Sequence, residues 1–193
     1  EDQGVITLTN DTVWALVGPV FIGNDKADSV TLAIEEGTVI FGRTGADYLV
    51  LSRDSQIEAE GTASAPIIMT SFNDVVGDEV GAGQWGGLVI LGNGTSTKCP
   101  QDGSDCALQV EGAEEGAVFG GTDDTDNSGI LKYVVVKYAG FEIAPDNELN
   151  GITFGGVGSG TEVDYVQVHS NADDGVEFFG GAVNAKHLVL TSN

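Results

Sequence analysis

Short apolar runs recur along the whole chain, and each is bounded by glycine, asparagine, aspartate or serine. The runs are rich in β-branched residues, and no segment shows a sustained helical period. This pattern predicts an all-β protein. The predicted strands are 13–16, 20–22, 32–34, 39–41, 49–51, 67–69, 88–91, 131–136, 163–168 and 185–190.

The strands of the C-terminal half repeat in register, which favours a solenoid over a sandwich. Three pairs of segments align: 163–171 with 185–193 at a spacing of 22 residues, 151–156 with 175–181 at 24, and 131–136 with 163–168 at 32. One repeat then corresponds to one coil of a β-helix. Residues 141–150 form an acidic loop that accounts for the longest spacing.

The N-terminal half shows a tighter alignment. Residues 32–34 match 49–51, and residues 37–40 match 54–57, both at a spacing of 17. We interpret this spacing as shorter coils with tight turns. The segments 71–83 and 92–107 are predicted to project from the coils as loops, as insertions in solenoids usually do.

Alternation along the C-terminal strands supports their alignment, because successive side chains of a strand point to opposite sides. The two predicted interior columns are apolar throughout: Val134, Val166 and Leu188, and Val136, Val168 and Leu190. The two predicted exterior columns are aromatic or polar: Tyr133, Tyr165 and His187, and Lys137, His169 and Thr191. The sequence therefore predicts a parallel β-helix with a filled core.

The charge balance is extreme, with 30 Asp and Glu against 7 Lys and Arg, which gives a net charge of −23. Such a field repels phosphate backbones and anionic lipids, so we expect neither nucleic-acid binding nor membrane insertion. No apolar run approaches the ~20 residues that cross a bilayer. The acidity indicates either a salt-rich or calcium-rich environment or simple solubility.

Cys99 and Cys106 are the two cysteines of the chain, and a short polar loop separates them. No histidine or further cysteine in that loop completes a zinc site. We expect a local disulfide, which is typical of an oxidising compartment such as the bacterial exterior.

Four segments carry a resemblance to a known group of proteins: 32–40, 60–68, 84–92 and 171–181. They resemble exported right-handed parallel β-helix proteins of marine and other environmental bacteria, most of which have no assigned function. The resemblance implies a right-handed parallel β-helix with projecting loops over residues 1–193, a single domain of a longer solenoid, secreted or displayed on the cell surface. Open ends of the β-helix would then allow self-association.

An acidic loop is the first candidate metal site. Asp123, Asp124, Asp126 and Asn127 place oxygen ligands at near-alternate positions before a glycine, as a hard cation such as Ca²⁺ requires. The alternative is an ordinary turn in which the same side chains bond to their own backbone.

Asp173 and Asp174 are the second candidate site. Paired carboxylates at a coil edge could bind Ca²⁺, or could act as acid and base on a glycosidic bond. The second possibility resembles the paired aspartates of β-helical polygalacturonases, but the Gly-His-Gly and Arg-x-Lys segments that those enzymes also share do not occur here. An enzyme, either a glycoside hydrolase or a polysaccharide lyase, is therefore kept as the alternative function.

The exterior columns form the candidate ligand surface, with Tyr133, Tyr165 and His187 beside Lys137 and His169. Aromatic faces in line could stack on sugar rings, and the polar groups could bind their hydroxyls. The alternative is aromatic stacking that only stabilises the sheet. We predict a non-catalytic, calcium-stabilised extracellular module for adhesion, polysaccharide contact or surface and filament assembly.

Overall fold

The computed structural model describes residues 4–100, 102, 104–145 and 147–193. Gln101, Gly103 and Asp146, which belong to two of the predicted loops, lie outside the described residues, as do the first three residues. Within the described part, the chain winds through successive coils of short parallel strands. The prediction of an all-β, right-handed parallel β-helix is confirmed, and its hand is the one that connections between parallel strands nearly always take.

The first three coils each contain three strands. They are β1 (Gly4–Leu8), β2 (Val13–Leu16) and β3 (Pro19–Ile22), then β4 (Val30–Ile34), β5 (Val39–Gly42) and β6 (Tyr48–Leu51), then β7 (Gln56–Glu60), β8 (Ile67–Ser71) and β9 (Gly87–Leu91). A one-turn helix, α1 (Phe72–Val76), follows β8 and ends at Gly77, whose φ is 78°. Among the described residues no helix is long and apolar enough to cross a membrane.

The later coils begin after a long insertion. In chain order the remaining strands are β10 (Leu108–Gln109), β11 (Val118–Phe119), β12 (Gly129–Lys137), β13 (Glu142–Ala144), β14 (Asn147–Glu148), β15 (Ile152–Gly155), β16 (Glu162–His169), β17 (Val176–Phe179), β18 (Asn184–Lys186) and β19 (Val189–Thr191). The pairs β10–β11 and β13–β14 are small antiparallel hairpins within the insertions. All the other strands pair in parallel with the neighbouring coil.

Parallel pairing stacks the strands into three faces around one core. Face 1 contains β1, β4, β7, the first halves of β12 and β16, and β18. Face 2 contains β2, β5, β8, the second halves of β12 and β16, and β19. Face 3 contains β3, β6, β9, β15 and β17.

The predicted interior columns line the core. Val134 pairs with Val166, and Val136 pairs with Val168, and all four side chains are buried. Leu188 is partly buried against the same core. Leu190 pairs with Val168 as predicted, yet it is 47% exposed because β19 has a neighbouring strand on one side only. The columns are confirmed, with burial that decreases in the last coil.

The C-terminal spacings are confirmed, but the 17-residue alignment is wrong. Leu32 pairs with Ile57 on face 1, whereas Leu49 pairs with Val20 and Leu88 on face 3. The second matched pair, 37–40 with 54–57, likewise joins different faces, because Val39 pairs on face 2 and Ile57 pairs on face 1. The faces of one coil share a short apolar pattern because all of them line the same core, so the pattern alone does not assign a strand to its face.

The three faces differ on their outer sides. Insertions cover face 3, where a second apolar cluster forms from Tyr48, Val50, Val89, Leu91, Val110, Ala117, Phe119 and Leu149. Face 1 carries charged side chains, among them Glu58, Glu60, Lys132, Glu162, Asp164 and Lys186. Face 2 carries one column of mainly aliphatic side chains and a second column that is largely polar, and α1 packs on it through a contact of Phe72 with Phe41. Continuous apolar strands such as β6 and β9 are thus buried on both sides.

Candidate functional site

The predicted aromatic column lies at the corner between faces 1 and 2. Tyr133, Tyr165 and His187 each have a left-handed backbone, with φ of 49°, 53° and 48°, which turns the chain from one face to the next within a single residue. Their rings stack along the helix axis. The Tyr133 and Tyr165 centroids are 4.7 Å apart at 4°, and those of Tyr165 and His187 are 4.4 Å apart at 8°.

This geometry limits how the column can meet a ligand. Both ring faces of Tyr165 are covered, one by Tyr133 and the other by His187, so a sugar cannot stack on them. The rings instead present their edges, and Tyr165 is 43% exposed. Neither tyrosine hydroxyl has a hydrogen-bond partner among the described residues. Ligand contact by this column stays a prediction, and it would use ring edges and hydroxyls.

Face 2 combines both predicted exterior columns into one surface, which we call the outer grid. Coil by coil, the outer grid consists of Tyr133, Val135 and Lys137, then Tyr165, Gln167 and His169, then His187, Val189 and Thr191. Parallel register places equivalent members ~4.8 Å apart. The structure therefore brings together all five residues that the sequence predicts for a ligand surface, and it adds Val135, Gln167, Val189 and Thr191.

One side of the outer grid is held by hydrogen bonds and an ion pair. Lys137 Nζ donates to Asp74 Oδ2 at 2.5 Å, which ties face 2 to α1. Burial raises the pKa of Asp74, but hydrogen bonds from Lys137 and Thr70 outweigh it, and the net shift is downward. His169 Nδ1 lies 2.8 Å from Thr191 Oγ1. These contacts fix the polar column in place.

The opposite side is held by an imidazole–carboxylate pair. His187 Nδ1 lies 2.6 Å from Asp164 Oδ1, and this hydrogen bond is the main cause of the lowered pKa of Asp164. Gln167 lies at the centre, half-buried, and its amide has no hydrogen-bond partner among the described residues. The outer grid thus offers the amide of Gln167 between two anchored columns and the phenol hydroxyls of Tyr133 and Tyr165 on one of those columns.

Comparison with known proteins agrees with this architecture. Residues 1–193 match the family of pectate-lyase-like β-helix domains. The chain belongs to this family. No curated protein and no solved structure matches the chain significantly.

In this pectate-lyase-like β-helix domain, the predicted calcium loop bonds to the protein itself. Each of its side chains accepts hydrogen bonds. The donors are Thr125 for Asp123, Thr95 for Asp124, Asn93 and Ser128 for Asp126, and the backbone N–H of Gly129 for Asn127. Among the described residues no three acidic, histidine or cysteine side chains converge as a metal-binding group. Calcium binding stays a prediction.

Asp126 is the least exposed carboxyl group of that loop. Asn93 Nδ2 donates both to Asp126 Oδ1 at 3.0 Å and to Asp54 Oδ1 at 2.7 Å, so one amide bridges two carboxylates. Burial raises the pKa of Asp126, and the hydrogen bonds from Asn93 only partly oppose this effect. The loop therefore contains a carboxylate that is costly to ionise.

Asp173 and Asp174 lie exposed at the corner between faces 2 and 3. The backbone oxygen of Asp174 accepts hydrogen bonds from the Gly151 N–H and from Asn171 Nδ2, so its backbone closes the turn. Their carboxylates raise the pKa of nearby Glu177, although burial is the larger cause. Neither the catalytic nor the metal-binding role predicted for Asp173 and Asp174 is tested by this arrangement.

The predicted disulfide is present, and it leads to a residue that the sequence analysis did not find. Cys99 and Cys106 are bonded, and the backbone oxygen of Cys106 accepts from Arg53 Nη1 at 2.6 Å. Arg53 is 1% exposed and binds Asp25 through Nε and Nη2 at 2.6 and 2.8 Å. A single arginine after an apolar strand gives no sequence signal of such burial.

Proposed function

We propose that this protein is a non-catalytic extracellular module that contacts polysaccharides through the outer grid of face 2. Membership in the pectate-lyase-like β-helix family supports a polysaccharide-related role. The disulfide is compatible with an exported protein. The observation that carries the proposal is the presence of three polar groups without protein partners close together on the outer grid, the Gln167 amide and the stacked hydroxyls of Tyr133 and Tyr165.

The proposal depends on how these groups would bind a sugar chain. Hydroxyls and amides that lack protein partners can exchange water for sugar hydroxyls, and stacking already holds the two tyrosine hydroxyls in place, which reduces the reorganisation that binding requires. The two tyrosine hydroxyls repeat from one coil to the next, which suits a polymer with equivalent groups at regular intervals. The anchored residues Lys137 and His169 border the array and limit its movement.

Gln167→Ala tests the site, because this outward side chain makes no hydrogen bond within the described residues. We expect binding to a polysaccharide panel, measured by affinity electrophoresis and pull-down, to weaken about fivefold, the effect of one hydrogen bond. The melting temperature should stay unchanged. Asn184→Ala removes a matched amide from face 1 and should leave binding intact.

Three results would contradict the proposal. They are the absence of binding to any polysaccharide in the panel, loss of binding in Asn184→Ala with none in Gln167→Ala, and release of reducing ends or unsaturated products from a bound polysaccharide. The third result would favour the enzymatic alternative, and Asp173→Asn with Asp174→Asn would then show whether those carboxylates are required.

Calcium stabilisation is a separate element of the proposal. The net charge of −23 and the oxygen-rich loop that contains Asp123 and Asp126 support it. Millimolar calcium should raise the melting temperature more than magnesium at the same ionic strength. Asp123→Asn with Asp124→Asn should remove that difference. An equal effect of the two cations in the unmodified protein would indicate screening only and would contradict a calcium site.

A further inference from the structure

A row of mainly aliphatic residues, which we call the aliphatic row, runs along the outer side of face 2 and passes through the centre of the outer grid. Parallel register joins one residue from each coil into this row: Val13, Val39, Ile68, Val135, Gln167 and Val189. All of them except Gln167 are aliphatic. Val13 and Val189, at the two ends, are 48% and 51% exposed, and the residues between them are half-buried.

The row is straight and open. The pairings that build it run without a register shift, so neighbouring side chains repeat at ~4.8 Å, and the row is about 24 Å long. The insertions cover face 3, and on face 2 α1 packs on the column beside the row, through Phe41, Thr70 and Lys137, without covering the outward side chains of the row's ends. A linear ligand can therefore lie along the helix axis across every coil.

Charge distinguishes this surface from the rest of the molecule. No residue of the aliphatic row ionises, although the protein carries a net charge of −23. The basic side chains that border it already have partners: Lys137 pairs with Asp74, His187 bonds to Asp164, and His169 bonds to Thr191. On the neighbouring face, charges of opposite sign alternate from coil to coil through Glu60, Lys132, Asp164 and Lys186. An anionic chain would meet overall repulsion here, and no residue of the row itself carries a positive charge.

We propose that the ligand is an uncharged polysaccharide whose apolar ring faces lie on the aliphatic row, with the chain parallel to the helix axis. This inference rests on the proposed function and specifies its ligand class. A pyranose ring whose hydroxyls are equatorial exposes C–H groups on both faces, and a flat aliphatic strip buries those faces while the ring edges reach Gln167 and the tyrosine hydroxyls. Burial of apolar area then supplies most of the affinity.

Two variants that place opposite charges at the same position test the ligand class. Ile68→Lys and Ile68→Glu both place a charge at the middle of the row, and both should weaken binding to insoluble cellulose or a soluble neutral β-glucan at least about tenfold. Binding by the unmodified protein should change little with sodium chloride concentration. Glu58→Lys, at an exposed outward position on face 1, serves as the charge control and should bind normally.

The outcomes separate this inference from the proposed function. Tighter binding to polygalacturonate than to neutral glucan, strengthened by Ile68→Lys and weakened by Ile68→Glu, would overturn the uncharged ligand while the polysaccharide role stands. Tighter binding to chitosan than to neutral glucan, weakened by Ile68→Lys and strengthened by Ile68→Glu, would also overturn the uncharged ligand while the polysaccharide role stands. Normal glucan binding by both variants, with Gln167→Ala still impaired, would show that the aliphatic side chains of the row are outside the contact and would overturn the apolar stacking.

Absence of binding to every polysaccharide would overturn the proposed function itself. Circular dichroism and melting temperature check that each variant is folded. Ile68→Thr, which keeps a β-branched side chain and adds no charge, provides a milder test of the same position and should weaken glucan binding about threefold.

Discussion

Left-handed backbone at non-glycine residues recurs at equivalent corners of the coils. Tyr133, Tyr165 and His187 share it between faces 1 and 2, and Ser170 and Ser192 share it after face 2. Such a conformation costs roughly 1–2 kcal/mol for a residue with a side chain. Stacked aromatic rings contribute about 0.5–1.5 kcal/mol per pair, so the aromatic column offsets much of the strain of its own corner.

Two substitutions of Tyr165 separate stacking from backbone strain. Tyr165→Ala loses both ring contacts and keeps the strained backbone, so we expect the free energy of unfolding to fall by about 2 kcal/mol. Tyr165→Gly loses the same contacts but relieves the strain, and it should be about 1 kcal/mol more stable than Tyr165→Ala. Urea denaturation followed by circular dichroism measures both values. Equal stability of the two variants would mean that the corner is not strained.

The buried carboxyl group of Asp126 makes stability depend on pH. Its pKa is raised by burial, so the protonated form is favoured in the folded state, and the ionised form at neutral pH lowers stability. Asp126→Asn removes this effect and keeps an acceptor for Asn93. The melting temperature should rise at pH 7, and the gain should shrink as pH falls through the titration range of the carboxyl group.

Asp78→Asn removes one exposed charge from the same acidic protein and controls for general repulsion. The pH-dependent gain of Asp126→Asn should exceed that of Asp78→Asn at neutral pH. Equal gains of the two variants across the whole pH range would contradict a specific effect of burial.

At the scale of elements, the buried side chain of Arg53 is one of the contacts that attach the long insertion between β9 and β12 to the coils. Arg53 follows β6 and binds the backbone oxygens of Cys106 and Gly120, which flank the β10–β11 hairpin. The disulfide lies close by: a Cβ added at Gly120 would be 2.9 Å from Cys106 Sγ, so this glycine permits the close approach. The insertion in turn covers face 3.

Arg53→Met tests this attachment. The variant leaves two buried carbonyl oxygens without a donor and Asp25 without its bidentate partner, so the free energy of unfolding should fall by about 3 kcal/mol. Arg53→Lys keeps the charge but loses the planar fork and should fall by roughly half as much. Arg43→Met, at an exposed arginine, should be close to neutral. A loss in Arg53→Met no larger than in Arg43→Met would show that the insertion holds without it.

At the scale of the whole molecule, 23 excess negative charges surround a narrow core. Self-repulsion destabilises the compact state when few counter-ions are present. Raising sodium chloride from about 0.01 M to about 0.15 M shortens the screening length from roughly 30 Å to roughly 8 Å. We therefore expect the melting temperature to rise by about 5 °C or more over this range. A melting temperature independent of salt would show that local ion pairs already compensate the charge.

The C-terminal register could be predicted from sequence, and the N-terminal register could not. Residues 163–168 and 185–190 repeat with matching apolar and polar positions, so one alignment satisfies both sides of the sheet, and the pairing of Val168 with Leu190 follows. In the N-terminal coils several strands are apolar at every position, as in β6, so every register between such strands satisfies the hydrophobic pattern equally well. Burial on both sides removes the alternation that register prediction requires.

The candidate site could likewise be predicted from the sequence only in part. The five outward residues of the predicted ligand surface follow from strand alternation, but the covered faces of the Tyr165 ring and the aliphatic row do not. Both depend on how the coils stack, and the row joins residues as distant in sequence as Val13 and Val189. The burial of Arg53 likewise depends on an insertion that begins 39 residues later, at Gly92.

The amino-acid sequence by itself determined the all-β class, the coil repeat of the C-terminal half, the disulfide and the strong negative charge, because each of these depends on local pattern or composition. The tertiary structure alone decided which strand joins which face, which faces stay open and which polar groups lack partners. These properties arise from contacts between residues far apart in the chain, and such contacts exist only after the coils have stacked.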